Sequence, residues 1–341
     1  MLRARVFAGL LATVVMGALI VTAPASARGT EAQQRQVKES HERVLAYWTP
    51  ERMRNAIPRD LGVGPQPSHH RPGHAGGPGG GGGGDDGGDT GGAVKGAPWS
   101  DASIKGQVGE TTGKVFFTLK GTNYVCSGST VTSLEGDSVV LTAGHCVHDG
   151  DSKDTSWATN FTFVPAYEDG GSSCPTTTYG CWTAETLTTT TSWYTSSDFS
   201  DDAGFANMRD GGHSSSNLVG VVGSQAISFS NAVVAEAVYA FGYPAAQKYN
   251  GRDLIYCAGT ARTGVIGGTA GLDCDMTGGS SGGPWLAEFD EISATGTAVS
   301  VNSHGFRSLK DVMFGPVFDV FDDGEEAAYN TALGGGEHPL P

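Results

Sequence analysis

The sequence predicts an all-β globular domain behind a short, tethered N-terminal segment. Three observations carry that prediction. From about residue 96 the chain breaks into short runs rich in β-branched and aromatic residues, among them KVFFTL (114–119), NYVC (123–126), SVVLT (138–142), NFTFV (160–164), VVAEAVYAF (233–241) and TAVSVN (297–302). Clusters of Gly, Ser, Asn and Asp separate these runs, as turns require. No amphipathic helical pattern lies between them, so a barrel or sandwich is expected rather than an α/β fold. One helix is expected near the C-terminus, over DDGEEAAYNTAL (322–333), with acids in its first turn and Gly334 after its end.

The N-terminus has the pattern of a secretory signal. Arg3 and Arg5 precede an apolar stretch from Val6 to about Val21, and Ala25-Ser26-Ala27 offers a small-residue cleavage site, with cleavage expected after Ala27. The apolar run is shorter than the roughly 20 residues of a membrane span. A secreted, extracellular product is therefore expected, with no membrane association once the signal is removed. Disulfides are permitted there. The six cysteines, Cys126, Cys146, Cys174, Cys181, Cys257 and Cys274, form an even set.

Residues 28–95 are expected to form a separate unit. In its first part Thr49-Pro50-Glu51 reads as a helix start, with Thr49 as cap and Pro50 as first residue, and Pro58 reads as a stop. Its few apolar residues cannot build a core, so this part can order only by docking on something larger. The stretch PGHAGGPGGGGGGDDGGDTGG (72–92) is a low-complexity glycine linker, a flexible tether by composition. His69, His70 and His74 beside it could form a metal tract, but solvated linker histidines are the expected reading.

Charge is uneven. From Gly96 onward there are 28 acidic against 10 basic residues, and before it 8 against 11. The large domain is thus strongly acidic, which argues against nucleic acid or anionic lipid as partner, because phosphate contact needs clustered cations.

The chemistry centres on TGGSSGGPW (277–285). Gly279-x-Ser281-x-Gly283 matches the elbow spacing of α/β-hydrolases, but Gly282, Gly283 and Pro284 make a poor first helical turn, and that fold's helices are missing from the pattern. The alternative needs a histidine and an acid. VVLTAGHCV (139–147) places His145 just after an apolar strand; a metal site from His145, Cys146 and His148 is a second sense of the same stretch, though the spacing is not an established one. SDFSDDAGFANM (197–208) offers the carboxylate. Asp202 has a small residue at plus two and an apolar one at plus three, whereas Asp201 puts glycine where the apolar residue should be.

LTAGHC, DAGFA and GGSSGGPW together resemble the histidine, aspartate and serine motifs of the chymotrypsin-fold serine proteases, in that family's order. The resemblance covers roughly residues 115–320, and the bacterial secreted, glutamyl-endopeptidase-like branch is the most similar. It implies two packed antiparallel six-stranded β-barrels with a C-terminal helix, residues 96–341 forming the protease domain. His145 and Asp202 would come from the first barrel and Ser281 from the second. Ser281 would be the nucleophile, since it alone is followed by two glycines, and Gly279 and Ser281 would supply oxyanion N–H groups. The implied disulfides are Cys126–Cys146, Cys174–Cys181 and Cys257–Cys274.

The same resemblance bears on specificity and activation. Asp275 stands six residues before Ser281, where trypsin-like members bind Arg or Lys, although related bacterial enzymes carry an aspartate near there with other preferences. Asp275, Thr277, Ser303, His304 and Gly305 are the implied substrate-binding residues. Glutamate-specific members carry a pocket histidine one residue before that serine; Asn302 stands there instead, which speaks against glutamate preference. Ser280 replaces the aspartate that in animal members pairs with a newly cut N-terminus, so activation should differ, with 28–95 as a propeptide or, alternatively, a permanent extension. The expected product is a monomeric, cofactor-free serine endopeptidase acting on polypeptides, with no metal; the rivals are a catalytically silent homologue that binds through its cleft and an α/β-hydrolase esterase.

Overall fold

The computed structural model describes residues 32–61, 94–99, 106–133, 136–167, 173–230, 233–306, 308–318 and 324–334. The expected signal (1–27), the linker (72–92) and His69, His70 and His74 lie outside the described residues. Among the described residues no helix is long and apolar enough to cross a membrane.

The N-terminal segment contains β1 (Ala32–Gln36), α1 (His41–Tyr47), α2 (Pro50–Asn55) and β2 (Ile57–Pro58). α2 starts as its sequence dictates: the Thr49 side chain accepts the Arg52 N–H, and Pro50, which has no N–H to leave unpaired, opens the helix. Next come β3 (Val94–Pro98) and α3 (Gly106–Thr111).

The first barrel is built from β4 (Thr112–Leu119), β5 (Thr122–Val131), β6 (Val139–Thr142), β7 (Thr159–Pro165), β8 (Trp182–Thr190) and, after α4 (Thr191–Ser196), β9 (Gly204–Met208). The antiparallel order β7-β4-β5-β6-β9-β8 returns from β8 to β7, so the six strands close on themselves. Closure leaves free edges only where a strand outruns its neighbour, as β8 does beyond Thr183, where β7 no longer pairs with it. Every residue of β4 is buried, because both of its faces are covered. On alternate residues, Lys114 donates to the Gly251 carbonyl of the second barrel, Phe116 packs on Trp48, and the Thr118 hydroxyl meets the Tyr47 hydroxyl.

The second barrel follows α5 (Leu218–Val222) and β10 (Ala226–Ile227). It comprises β11 (Ala237–Gly242), β12 (Ile255–Thr260), β13 (Arg262–Thr263), β14 (Thr269–Asp273), β15 (Pro284–Asp290), β16 (Thr295–Val301), β17 (His304–Phe306) and β18 (Leu309–Pro316). One antiparallel run is β16-β15-β11-β12, with β3 added at its end; the other is β14-β18-β17. The Cys257–Cys274 disulfide ties β12 to the end of β14, and the Ser303 N–H donates to the Phe314 carbonyl, joining the end of β16 to β18. The result is the two-barrel architecture. All three disulfides implied by the resemblance are formed.

One expectation needs adjusting and another holds. The run VVAEAVYAF is a strand only from Ala237; Val233–Glu236 turns instead, with Val233 fully buried and Ala235 in a left-handed conformation while its N–H reaches the Ala261 carbonyl. The C-terminal helix, α6 (Gly324–Ala332), lies within the expected span, and Gly334 takes a positive φ of 102° just beyond it.

The N-terminal segment orders by docking. β1 pairs antiparallel with β8 along five residues, β2 pairs parallel with β5, and Val44, Trp48 and Met53 are buried against the first barrel. The Trp48 indole N–H is satisfied by the Asn160 carbonyl at 2.6 Å.

Candidate active site

Strand pairing brings the histidine to the acid. β6 and β9 are neighbours with Thr142 opposite Gly204, so the turn that follows β6 and the residue that precedes β9 lie side by side. That turn is a single 3₁₀ turn, Gly144–Cys146, and the Cys126–Cys146 disulfide pins it to β5. Asp202 Oδ2 accepts from His145 Nδ1 at 2.7 Å, and Oδ1 accepts the His145 backbone N–H at 2.8 Å. The Ser303 hydroxyl also donates to Oδ2, at 2.6 Å. Both His145 and Asp202 are completely buried. A carboxylate on Nδ1 fixes the tautomer with hydrogen there and a lone pair on Nε2. Asp201 is not the partner; it belongs to the preceding 3₁₀ turn, where its carbonyl accepts from the Thr190 hydroxyl.

The serine loop is shaped by its glycines. Gly279 has φ of 100° and Gly282 φ of 82°, a region that side chains disfavour. A Cβ on Gly279 would also lie 3.0 Å from the Ala245 nitrogen and the Tyr243 carbonyl oxygen. The Gly278 carbonyl accepts from the Ala245 N–H at 2.8 Å; in a trans peptide this turns the Gly279 N–H to the opposite side. The loop is tied to the first barrel through Ser127, whose N–H donates to the Ser281 carbonyl and whose hydroxyl donates to the Gly279 carbonyl. The two serines separate cleanly. The Ser280 hydroxyl is spent on the Thr277 carbonyl at 2.9 Å, whereas the Ser281 hydroxyl faces the junction of the barrels.

The other residues singled out in the sequence take varied places. Ser303 joins the acid, as above. His304 is buried among Phe199, Phe306 and Phe314, and its Nδ1 lies 3.0 Å from the Ser303 hydroxyl. Ser303 gives its only hydrogen to Asp202, so His304 Nδ1 is the donor in that pair. Burial pulls the His304 pKa down to about 4, against the opposing pull of Asp202. Gly305 is half-buried with space beside it. Thr277 braces the loop, donating to the Ala246 carbonyl. Asp275 pairs with Lys248 and accepts from the Tyr249 hydroxyl at 2.5 Å, while its N–H donates to the Lys95 carbonyl of β3. Its carboxylate is thus already engaged. Asn302 uses its whole amide, donating to the Phe241 and Ser280 carbonyls and accepting from the Trp285 indole.

No metal site forms at His145, Cys146 and His148. The Cys146 sulfur is in a disulfide, His145 Nδ1 is on Asp202, and the two nitrogens of His148 meet the Lys153 carbonyl and the Gly150 N–H.

Motif spacing gave no hint of one neighbour of Ser281. Residues 57–60 run across the serine loop, with Asp60 and Pro58 beside Gly278. The Ser281 hydroxyl donates to the Arg59 carbonyl at 3.1 Å. His145 Nε2 is buried and makes no hydrogen bond to a described residue. The Arg59 N–H donates to the Val125 carbonyl, and its guanidinium pairs with Asp149 over the Tyr124 ring. Asp149 also pairs with Lys120.

Comparison with solved structures gives the arrangement relatives. Protease Anisep from Arthrobacter nicotinovorans is 40% identical, with 66% of this chain and 96% of that chain covered and a TM-score of 0.58. The thermostable serine protease AL20 from an extremophilic microorganism is 37% identical, with 67% and 100% covered and a TM-score of 0.59. A Glu endopeptidase in complex with MPD shares the fold at 15% identity, with 72% and 100% covered and a TM-score of 0.53. No family model and no curated protein matches the chain.

Proposed function

The chain belongs to the chymotrypsin-fold serine proteases, and from that premise we propose that it is a secreted serine endopeptidase, made as an inactive precursor, whose reacting residues are His145, Asp202 and Ser281. The observation that carries the proposal is the buried His145–Asp202 pair with the Ser281 hydroxyl held in the adjoining loop. His145 Nε2, bearing the lone pair, takes the Ser281 proton as the oxygen attacks the scissile carbonyl. The tetrahedral intermediate collapses to an acyl-enzyme as the same proton passes to the leaving amine, and water repeats the sequence to release the acid. Asp202 stays a carboxylate, orienting the ring and stabilising the imidazolium. The N–H groups of Gly279 and Ser281 are the donors for the oxyanion, each worth about 2.7–4 kcal/mol of barrier where such donors have been removed.

Secretion rests on the signal-like N-terminus, and the three disulfides are compatible with it. The precursor reading takes residues 28–95 as the propeptide, and the contact of Arg59 with Ser281 supports it over a permanent extension. A fluorophosphonate probe tests the assignment after limited proteolysis has removed the segment. Labelling should survive Ser280→Ala and vanish in Ser281→Ala. A processed protein that takes up no probe would favour the silent, cleft-binding homologue.

A further inference from the structure

We infer that residues 32–60 form a self-sufficient inhibitor, bound to a surface of the first barrel that reaches the nucleophile, so that severing the glycine tether does not by itself activate the enzyme. The inference rests on the precursor reading and says what the propeptide binds and how it is removed.

The contacts are independent of the tether. At one end β1 extends the sheet on β8, and the Arg209 guanidinium donates to the Val37 carbonyl at 3.1 Å. In the middle Trp48 fills a site against Phe116, with its N–H on Asn160, and the Tyr47 hydroxyl donates to Asn123 at 2.8 Å. At the other end the Arg59–Asp149 pair, stacked on Tyr124, fixes the backbone over Ser281. None of these partners lies in 62–93. Cutting the tether changes the effective concentration of the segment and leaves these contacts in place.

The end of the segment is suited to hold the enzyme without being consumed. The Ser281 O–H donates to the Arg59 carbonyl oxygen, so the serine presents its hydrogen to that peptide and not a lone pair. Among the described residues, no backbone N–H of the serine loop donates to that carbonyl. The peptide therefore has no backbone oxyanion donor from the serine loop and meets the serine's hydrogen in place of its nucleophilic lone pair, while the proton faces Arg59 and not His145 Nε2. Activation then requires a second event: loss of the segment by dissociation or by a cut within it.

The test inserts a recognition site for a highly specific protease into the 72–92 tract of the full chain. Ser281 labelling by a fluorophosphonate and elution on gel filtration are followed before and after cutting. Cut chains should elute as one particle and label as slowly as uncut ones at micromolar concentration, then label faster on dilution. A synthetic peptide spanning 32–61 should restore the slow rate. Asp149→Asn should move the dilution midpoint about tenfold higher, because one partner of a half-buried charge pair is lost. Labelling that rises at once on cutting, with the fragment eluting apart, overturns the inference and leaves the precursor reading intact. Uncut chains that label as fast as diluted, cut ones overturn both.

Discussion

Replacing His304 by Phe separates a supporting role from a substrate-wall role. His304 donates from Nδ1 to the Ser303 hydroxyl, which in turn donates to Asp202, so the imidazole acts on the acid through one intermediary. A hydrogen bond of this kind contributes about 0.5–1.5 kcal/mol, so His304→Phe should lower kcat/KM by about two- to tenfold, in kcat rather than KM. Phe keeps the packing against Phe199 and Phe314. A second readout comes from folding. With a pKa of about 4 when folded and about 6.5 when unfolded, His304 is neutral in the fold where the unfolded chain takes up a proton. Its contribution to stability is therefore complete above pH 6.5 and falls as pH drops towards 4. At pH 5 the loss is about 2 kcal/mol, from 1.36 kcal/mol per pH unit over about 1.5 units. Urea unfolding of parent and variant at pH 8 and pH 5 reads this directly: the parent should lose about 2 kcal/mol more than the variant. Equal losses, or an effect confined to KM, would refute the supporting role and make His304 part of the substrate wall.

Four further substitutions follow from the geometry. Asp202→Asn should lower kcat of the released enzyme by about four orders of magnitude, because the amide stabilises the wrong imidazole tautomer, while Asp201→Asn should leave most activity; reversed results in peptide hydrolysis would reassign the acid. Gly279→Ala forces a side chain into a φ of 100° beside the Ala245 nitrogen and should cost at least a hundredfold in kcat together with some stability, checked by steady-state kinetics and thermal unfolding. Lys114, buried with its amine on the Gly251 carbonyl and near the Tyr167 and Phe116 rings, has its pKa pulled down to about 7 by burial. Since the unfolded chain then binds more protons between about pH 7 and 10.5, the parent should gain stability relative to Lys114→Met as pH rises through that window; a pH-independent difference in urea unfolding would contradict it.

The residues that were legible in the sequence are those constrained by local geometry. Gly279 and Gly282 must be glycine to allow a positive φ, and their fixed offsets from Ser281 made the loop readable. Asp202 was separable from Asp201 because β9 begins two residues later, at Gly204, and its alternation demands apolar positions at fixed distances. What the sequence concealed depends on contacts between distant parts. VVAEAVYAF has uniform strand propensity, yet its first half turns because buried Val233 and the Ala261 carbonyl hold it elsewhere. Asp275 sits at the position of a pocket carboxylate, but only the fold brings Lys248 and Tyr249 to it. Arg59 had no motif at all. The single usable signal was negative: a segment with too few apolar residues to fold alone needed a surface, and no local pattern said which one.

The arrangement around Ser281 shows how this loop is held with Ser280, and not an aspartate, at the preceding position. Ser280 closes its hydroxyl and its N–H onto the Thr277 carbonyl within the loop itself, and Asn302 holds the Ser280 carbonyl from the β16 side. The loop's shape is thus set by bonds already present in the covered state. The acid and histidine are equally complete, with three donors on Asp202. The Ser281 hydroxyl points to the Arg59 carbonyl, while His145 Nε2 has no hydrogen-bond partner among the described residues. Under the precursor reading proposed above, latency would rest on the affinity of residues 32–60 for the barrel and not on rebuilding the site, and the dilution behaviour of the cut chain is the quantity that measures it.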